Sequence, residues 1–122
     1  MKILSEKIIS TEQVESETYY VFCEVDEFGD KSYFNAEEEC HREDGPAIEW
    51  NNGFKWWYLN GKLHREDGPA IEFPNGGKEW YINDHLHRED GPAIEFANGD
   101  KYWYLNDKKV TEEDVRNLGK MK

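Results

Sequence analysis

One heptapeptide, His-Arg-Glu-Asp-Gly-Pro-Ala, is written three times in this chain, beginning at His41, His64 and His87. The copies stand 23 residues apart both times, so the register never slips. Each continues through Ile-Glu-aromatic, one variable residue and Asn-Gly, then Lys and a Trp-Tyr pair, and ends in Leu or Ile and Asn. A fixed period of this length marks a repeat architecture, in which each unit buries its apolar face only against its neighbours.

Residues 68–86 show how one unit folds. Pro69 opens a strand, where a missing N–H is tolerated. Ala70, Ile71, Glu72 and Phe73 alternate in polarity, and Asn75-Gly76 is the strongest short hairpin signal. Lys78 to Ile82 is the return strand, rich in aromatic and β-branched residues. Asn83-Asp84 is a second turn, matching Asn60-Gly61 and Asn106-Asp107. A two-residue loop at Asn75-Gly76 sets Ile71 opposite Trp80 and Phe73 opposite Lys78. One face then carries Ile71, Phe73, Trp80 and Ile82, and the other Ala70, Glu72, Glu79 and Tyr81. Trp57, Trp80 and Trp103 are expected to form a ladder through the core. The pattern is that of an antiparallel sheet with one wet face.

The stretch Trp57-Tyr-Leu-Asn-Gly61-Lys-Leu-His64 resembles the aromatic, Asn-Gly-Lys-x-His core of the MORN repeat, and the 23-residue period matches that family. The likeness covers residues 41–109 well and 24–40 loosely. It departs from the family where Gly should follow His directly, because Arg-Glu-Asp intervenes before Gly68. The closer resemblance is to the MORN-variant repeats of bacterial and phage proteins, some of which carry an antitoxin-type, YwqK-like label. The resemblance implies a curved sheet of successive hairpins and a binding or scaffolding role rather than a defined reaction.

The expected fold is therefore a single all-β domain, 1–122, built as a curved antiparallel meander of 23-residue hairpins. Residues 1–40 form an acidic N-terminal capping segment, 41–109 the three units, and 110–122 a short C-terminal helical cap. Lys2 to Ser10 reads as a first edge strand, Thr11 to Glu17 as a polar loop or a short helical turn, and Thr18 to Val25 as a strand. Asp26 to Asn35 reads as a decayed return hairpin, with Gly29-Asp30-Lys31 corresponding to Gly99-Asp100-Lys101. Against the later units it holds one extra residue, around Glu37-Glu38-Glu39. Thr111 reads as an N-cap, followed by Glu112, Glu113 and Asp114 where acids favour the helix dipole, and Gly119 as a stop.

Charge narrows the partners. The chain has 27 acids against 15 lysines and arginines, a net charge of −12, and eleven of those acids lie in residues 1–40. Nucleic acid and anionic membrane both require basic surfaces, so neither is expected as a partner. A protein with a basic surface is. The first residues lack the apolar run of a signal peptide and no stretch is long enough to span a membrane, so a cytoplasmic protein is expected. Cys23 and Cys40 lack metal-ligand spacing and are expected to be reduced.

The three His-Arg-Glu-Asp loops invite a metal reading. Ligands must converge within about 2.3 Å of one zinc ion, however, while neighbouring strands lie about 4.8 Å apart and equivalent loops further still. A structural role is expected instead, with His donating to carbonyls and Arg pairing with an acid of the adjacent unit. No metal or cofactor is called for. The cross-strand pair Glu72/Glu79 is the one acid/base constellation, and an enzyme is the third-ranked function. The first is a non-catalytic inhibitor, antitoxin-like or anti-defence accessory that sequesters a protein partner. Its candidate contacts are Trp56, Tyr58, Glu79, Tyr81, Tyr102 and Tyr104, with Glu37, Glu38 and Glu39 steering. The alternative is a sponge for a nucleotide-like anion held by Arg42, Arg65 and Arg88. Unpaired sheet edges also offer a route to self-association.

Overall fold

The computed structural model describes residues 8–14 and 17–120, and side-chain surroundings for residues 23–118. Among these residues there are fourteen strands and one helix. Ten strands form an antiparallel sheet whose order follows the sequence. They begin with β1 (Ile8–Val14), β2 (Glu17–Val25) and β3 (Lys31–Phe34). The first two units add β4 (Ile48–Glu49), β5 (Lys55–Trp56), β8 (Ile71–Glu72) and β9 (Lys78–Glu79). The last adds β12 (Ile94–Glu95), β13 (Lys101–Leu105) and β14 (Lys108–Val110). The helix is α1 (Glu112–Lys120). No helix is long and apolar enough to cross a membrane among the described residues.

The hairpin register differs from the expected one by a single residue. The Phe73 N–H donates to the Gly77 carbonyl and the Gly76 N–H to the Phe73 carbonyl. The loop is thus Pro74-Asn75-Gly76, a three-residue turn closed by a glycine at φ +98. That is a type I turn with a glycine bulge rather than a two-residue Asn-Gly turn. Gly53 and Gly99 hold the same φ of +98, and the bonds around Trp50–Phe54 and Phe96–Asp100 repeat the pattern. Because side chains alternate with period two, one residue of slip exchanges the faces. Ile71 pairs with Glu79 and Glu72 with Lys78. Glu72 and Glu79 therefore point to opposite faces, and the acid/base pair expected from the sequence does not exist.

Two cross-strand rows result. One runs Ile48–Trp56–Ile71–Glu79–Ile94–Tyr102 over six strands. The other runs Lys31–Glu49–Lys55–Glu72–Lys78–Glu95–Lys101 over seven, opposite charges alternating at every step. Each directly opposed charge pair of this kind contributes roughly 0.2–1 kcal/mol.

Past each tryptophan the strand changes partner. The Trp57 N–H donates to Ala70 while its carbonyl accepts from His64. Beyond it, β6 (Tyr58–Leu59) pairs only with β7 (Lys62–Leu63), and β10 (Tyr81–Ile82) only with β11 (His85–Leu86). Their turns, Asn60-Gly61 and Asn83-Asp84, have positive φ at both residues, as does Asn106-Asp107 between β13 and β14. These are primed turns, which match strand twist. They are also stitched together: Gly61, Asp84 and Asp107 donate their N–H groups to Cys40, Leu63 and Leu86 respectively.

The core is thin. Its buried apolar residues are Ala47, Ala70, Ala93, Ile71 and Val115, and no large side chain is fully buried among the described residues. Trp57, Trp80 and Trp103 are half-buried, so the expected central ladder is corrected to one on the charged face.

At the N-terminal end, Thr11 to Val14 belong to β1, with Val14 opposite Glu17, rather than to a loop. Polar residues suit a strand whose backbone bonds are made by pairing alone. Residues 2–7 of the expected first strand lie outside the described residues. The Asp26–Asp30 turn, with Gly29 at φ +87, makes the bonds of the later hairpin turns. Tyr33 then stands where the units have Trp57 and Trp80: its N–H donates to Ala47 and its carbonyl accepts from His41. The extra residue is absorbed at Glu38, which takes φ +64. Asn35 Oδ1 organises that turn by accepting from the N–H groups of Glu37 and Glu39.

At the other end Thr111 caps α1. Its Oγ1 accepts from the Asp114 N–H at 3.1 Å while Asp114 Oδ2 accepts from the Thr111 N–H at 3.0 Å. This reciprocal pair is a capping box with Asp as the third residue. Val115 is the buried face of the helix, which runs through Gly119 to Lys120.

Candidate functional site

Every residue of the heptapeptide has a local task. His64 Nδ1 accepts from the Asn83 N–H at 3.1 Å, and its Nε2 lies 3.1 Å from Glu66. His41 with Asn60 and Glu43, and His87 with Asn106 and Glu89, repeat this arrangement. An accepting Nδ1 leaves the proton on Nε2, aimed at the carboxylate. The histidines accept from backbone N–H groups, so the expected donation to carbonyls is corrected.

The arginine spans the boundary between units. Arg65 Nε donates to Asp67, and Nη1 to both the Pro69 carbonyl and Glu72. Its Cζ lies 4.0 Å from the centre of the Trp57 ring, in the preceding unit. Arg42 stacks on Tyr33 at 4.1 Å and Arg88 on Trp80 at 3.8 Å. The acid partners lie in the arginine's own unit, not the adjacent one; the link between units is the cation–π contact. Such contacts contribute about 0.5–2 kcal/mol, more as water is excluded. Gly68 makes room, since a Cβ there would sit 2.8 Å from Arg65 Cζ. Ala70 ends the motif fully buried.

The candidate partner contacts lie on the opposite face. Trp56 meets Trp50 and Phe54 edge-on at 5.0 and 5.7 Å, and Phe54 meets Phe73 at 4.8 Å. Tyr58 lies 6.1 Å from Trp56. The Trp56 Nε1 is buried without a hydrogen-bond acceptor. Tyr81 donates its hydroxyl to Glu79 at 2.9 Å, and burial followed by that bond pushes its pKa up. Burial also raises Tyr58. Tyr102 meets Phe96 at 5.7 Å and Lys109 at 4.8 Å, while Tyr104 pairs with Lys109. The structure thus groups Trp56 with Tyr58, Glu79 with Tyr81, and Tyr102 with Phe96. Phe54, Phe73 and Phe96 belong to the same face, and Phe96 is 48% exposed. The correct turn length would have placed Phe73 and Phe96 there from the sequence. Glu37, Glu38 and Glu39 are exposed beyond the end of β3.

On the arginine face, successive heptapeptide loops wall grooves. One of about 660 Å³ has Trp57 and Leu59 as its floor. The next, of about 800 Å³, has Trp80 and Ile82. A third, of about 380 Å³, lies over Trp103, with α1 standing where a fourth loop would be. Among the described residues no group of three His, Cys, Asp or Glu could hold a metal ion. Cys23 and Cys40 are free thiols.

Compared with protein-family models, curated proteins and solved structures, the chain matches none.

Proposed function

We propose that this chain is a non-catalytic binding protein, an array of MORN-like hairpin units in a curved sheet. Its role is that of an inhibitor, antitoxin-like or anti-defence accessory of bacterial or phage type, which sequesters a basic protein partner in the cytoplasm. The row Ile48–Trp56–Ile71–Glu79–Ile94–Tyr102 carries this reading. An apolar and aromatic band crossing six strands, with exposed Phe96 beside it, is the composition of an interface core. The exposed Glu37–Glu39 turn supplies the steering charge at one end.

Affinity capture from the native host, followed by mass spectrometry, tests the reading. A protein retained by the wild type and lost by a Trp56→Ala, Tyr102→Ala variant is expected. Equal recovery with both would remove this face from binding.

The nucleotide sponge stands second because the groove over Trp80 falls in the size range of small-ligand sites. Against it, Arg65 and Arg88 already hold carboxylates of their own units. A saturable thermal shift with a nucleotide would reverse the ranking.

A further inference from the structure

We propose that the grooves of the arginine face receive the basic side chains of an extended, polyproline II segment of the partner, one cation per groove at every third residue. This rests on the reading of the chain as a binder of a basic protein, and adds a second contact, on the face opposite the aromatic row, where an extended segment of that partner is gripped.

Charge selects a cation. The groove over Trp80 is lined by Arg65 and Arg88 against Glu66, Asp67, Glu89 and Asp90, two cations against four carboxylates. The groove over Trp57 has the same balance, with Arg42 and Arg65 facing Glu43, Asp44, Glu66 and Asp67. The two arginines face inward, their side chains 23% and 21% exposed, while Glu66, Asp67 and Asp90 are 82%, 89% and 86% exposed. Asp67 and Asp90 are bonded to the arginines and Glu66 and Glu89 to the histidines, but four carboxylates against two guanidiniums leave the rim negative, so a ligand entering from solvent meets carboxylates first. The third groove is lined by Glu89, Asp90 and Glu112 against Lys101 and Arg116, and there Arg116 bonds to Glu112 of its own helix at 2.7 Å.

Spacing selects the conformation. Each unit advances the sheet by two strands, from β5 past β8 to β9 and from β9 past β12 to β13. Two steps of about 4.8 Å put successive grooves roughly 10 Å apart. A polyproline II segment rises about 3.1 Å per residue with three residues per turn, so every third side chain returns to one face after about 9.3 Å. Lysine or arginine at i, i+3 and i+6 then matches the array.

The test uses the full chain, ¹⁵N-labelled, and two synthetic peptides of one composition. In the first, Lys-Pro-Pro is repeated three times; in the second, three lysines are consecutive and the prolines follow. The spaced peptide is expected to shift the indole N–H signals of Trp57 and Trp80 and to bind about fivefold tighter than the blocked one, the scale of one or two exposed charge contacts. Glu66→Gln with Glu89→Gln keeps acceptors for His64 and His87 and is expected to abolish that preference. Asp67→Asn with Asp90→Asn is the second variant should the first not fold. Glu27→Gln with Glu113→Gln removes the same charge at exposed positions elsewhere and should leave the preference intact. Equal affinity for the two peptides, no binding of either, or shifts confined to Trp50 and Trp56 would overturn the proposal. If host capture still depends on Trp56 and Tyr102 in that case, the binding function stands and only the grooves are excluded.

Discussion

Arg88 reaches back across a unit boundary to lie 3.8 Å over the ring of Trp80, while its own Nε and Nη1 hold Asp90 and Glu95. One side chain thus joins the motif it belongs to and the unit before it. Replacing the planar fork with an ammonium cannot reproduce both functions.

The adjoining glycine is the most direct probe of this joint. A Cβ at Gly91 would sit 2.7 Å from Arg88 Cζ, and one at Gly68 2.8 Å from Arg65 Cζ. Gly68→Ala or Gly91→Ala should force the guanidinium off its ring and destabilise by about 1–3 kcal/mol, the range for overpacking. Urea unfolding measures this. An unchanged midpoint would show that the arginine moves aside at no cost.

The alternating charge row makes a prediction about pairs. Lys78 stands between Glu72 and Glu95. Lys78→Glu should cost about 0.5–2 kcal/mol by placing three acids in line, and should cost less in a Glu72→Gln background, where the Arg65–Glu72 bond is lost with or without the Lys78 change. A double-mutant cycle that finds the two changes additive would mean the row carries no coupling.

Acid should weaken the C-terminal end. The His85 hydrogen bond, then the Leu86 N–H, hold Asp107 below the usual carboxylate range, and the Thr111 backbone and hydroxyl do the same for Asp114. Folded values below the unfolded ones mean that the stabilisation is fully present above the ordinary aspartate pKa of about 3.9. It is lost as pH falls through the lowered folded values. Carboxyl NMR titration should therefore give midpoints for both below that of a free aspartate. Midpoints at the ordinary value would exclude these bonds in solution.

The acidic turn and the aromatic face should separate kinetically once a partner is in hand. Changing Glu37, Glu38 and Glu39 to Gln should slow association and flatten its salt dependence, since exposed charges act over about 8 Å at physiological salt. Tyr102→Ala should speed dissociation at any salt. Wild-type association of the Gln variant at low salt would reduce the turn to a solubility device.

The antiparallel meander, the turn before β3 and the Thr111 cap of the C-terminal helix were legible because each depends on local chemistry. Which residues share a face was not, because it hinges on one turn residue. Asn75-Gly76 signals a hairpin, but the bond from Phe73 to Gly77 counts Pro74 into the loop and shifts every later side chain. That slip hid the charge row, set Trp80 rather than Glu79 beside Ile71 and created a false Glu72/Glu79 pair. The arginine–ring contacts were illegible for another reason: Arg65 and Trp57 are eight residues apart with a primed turn between them, and only the folded backbone brings them together.

The stitched turns have a consequence for the length of the molecule. Gly61 bonds to Cys40, Asp84 to Leu63 and Asp107 to Leu86, each to the residue where the chain leaves the turn before it. Strand pairing and arginine stacking likewise reach only the adjacent unit. Nothing among the described residues measures how many units have gone before. Excision of residues 64–86 would bring Leu63 against His87 and restore the backbone bonds and the arginine stack between units with one copy fewer. The number of copies is thus open to change by in-frame duplication or loss in the gene. The width of the binding surface can change with it, while the architecture of each unit stays the same.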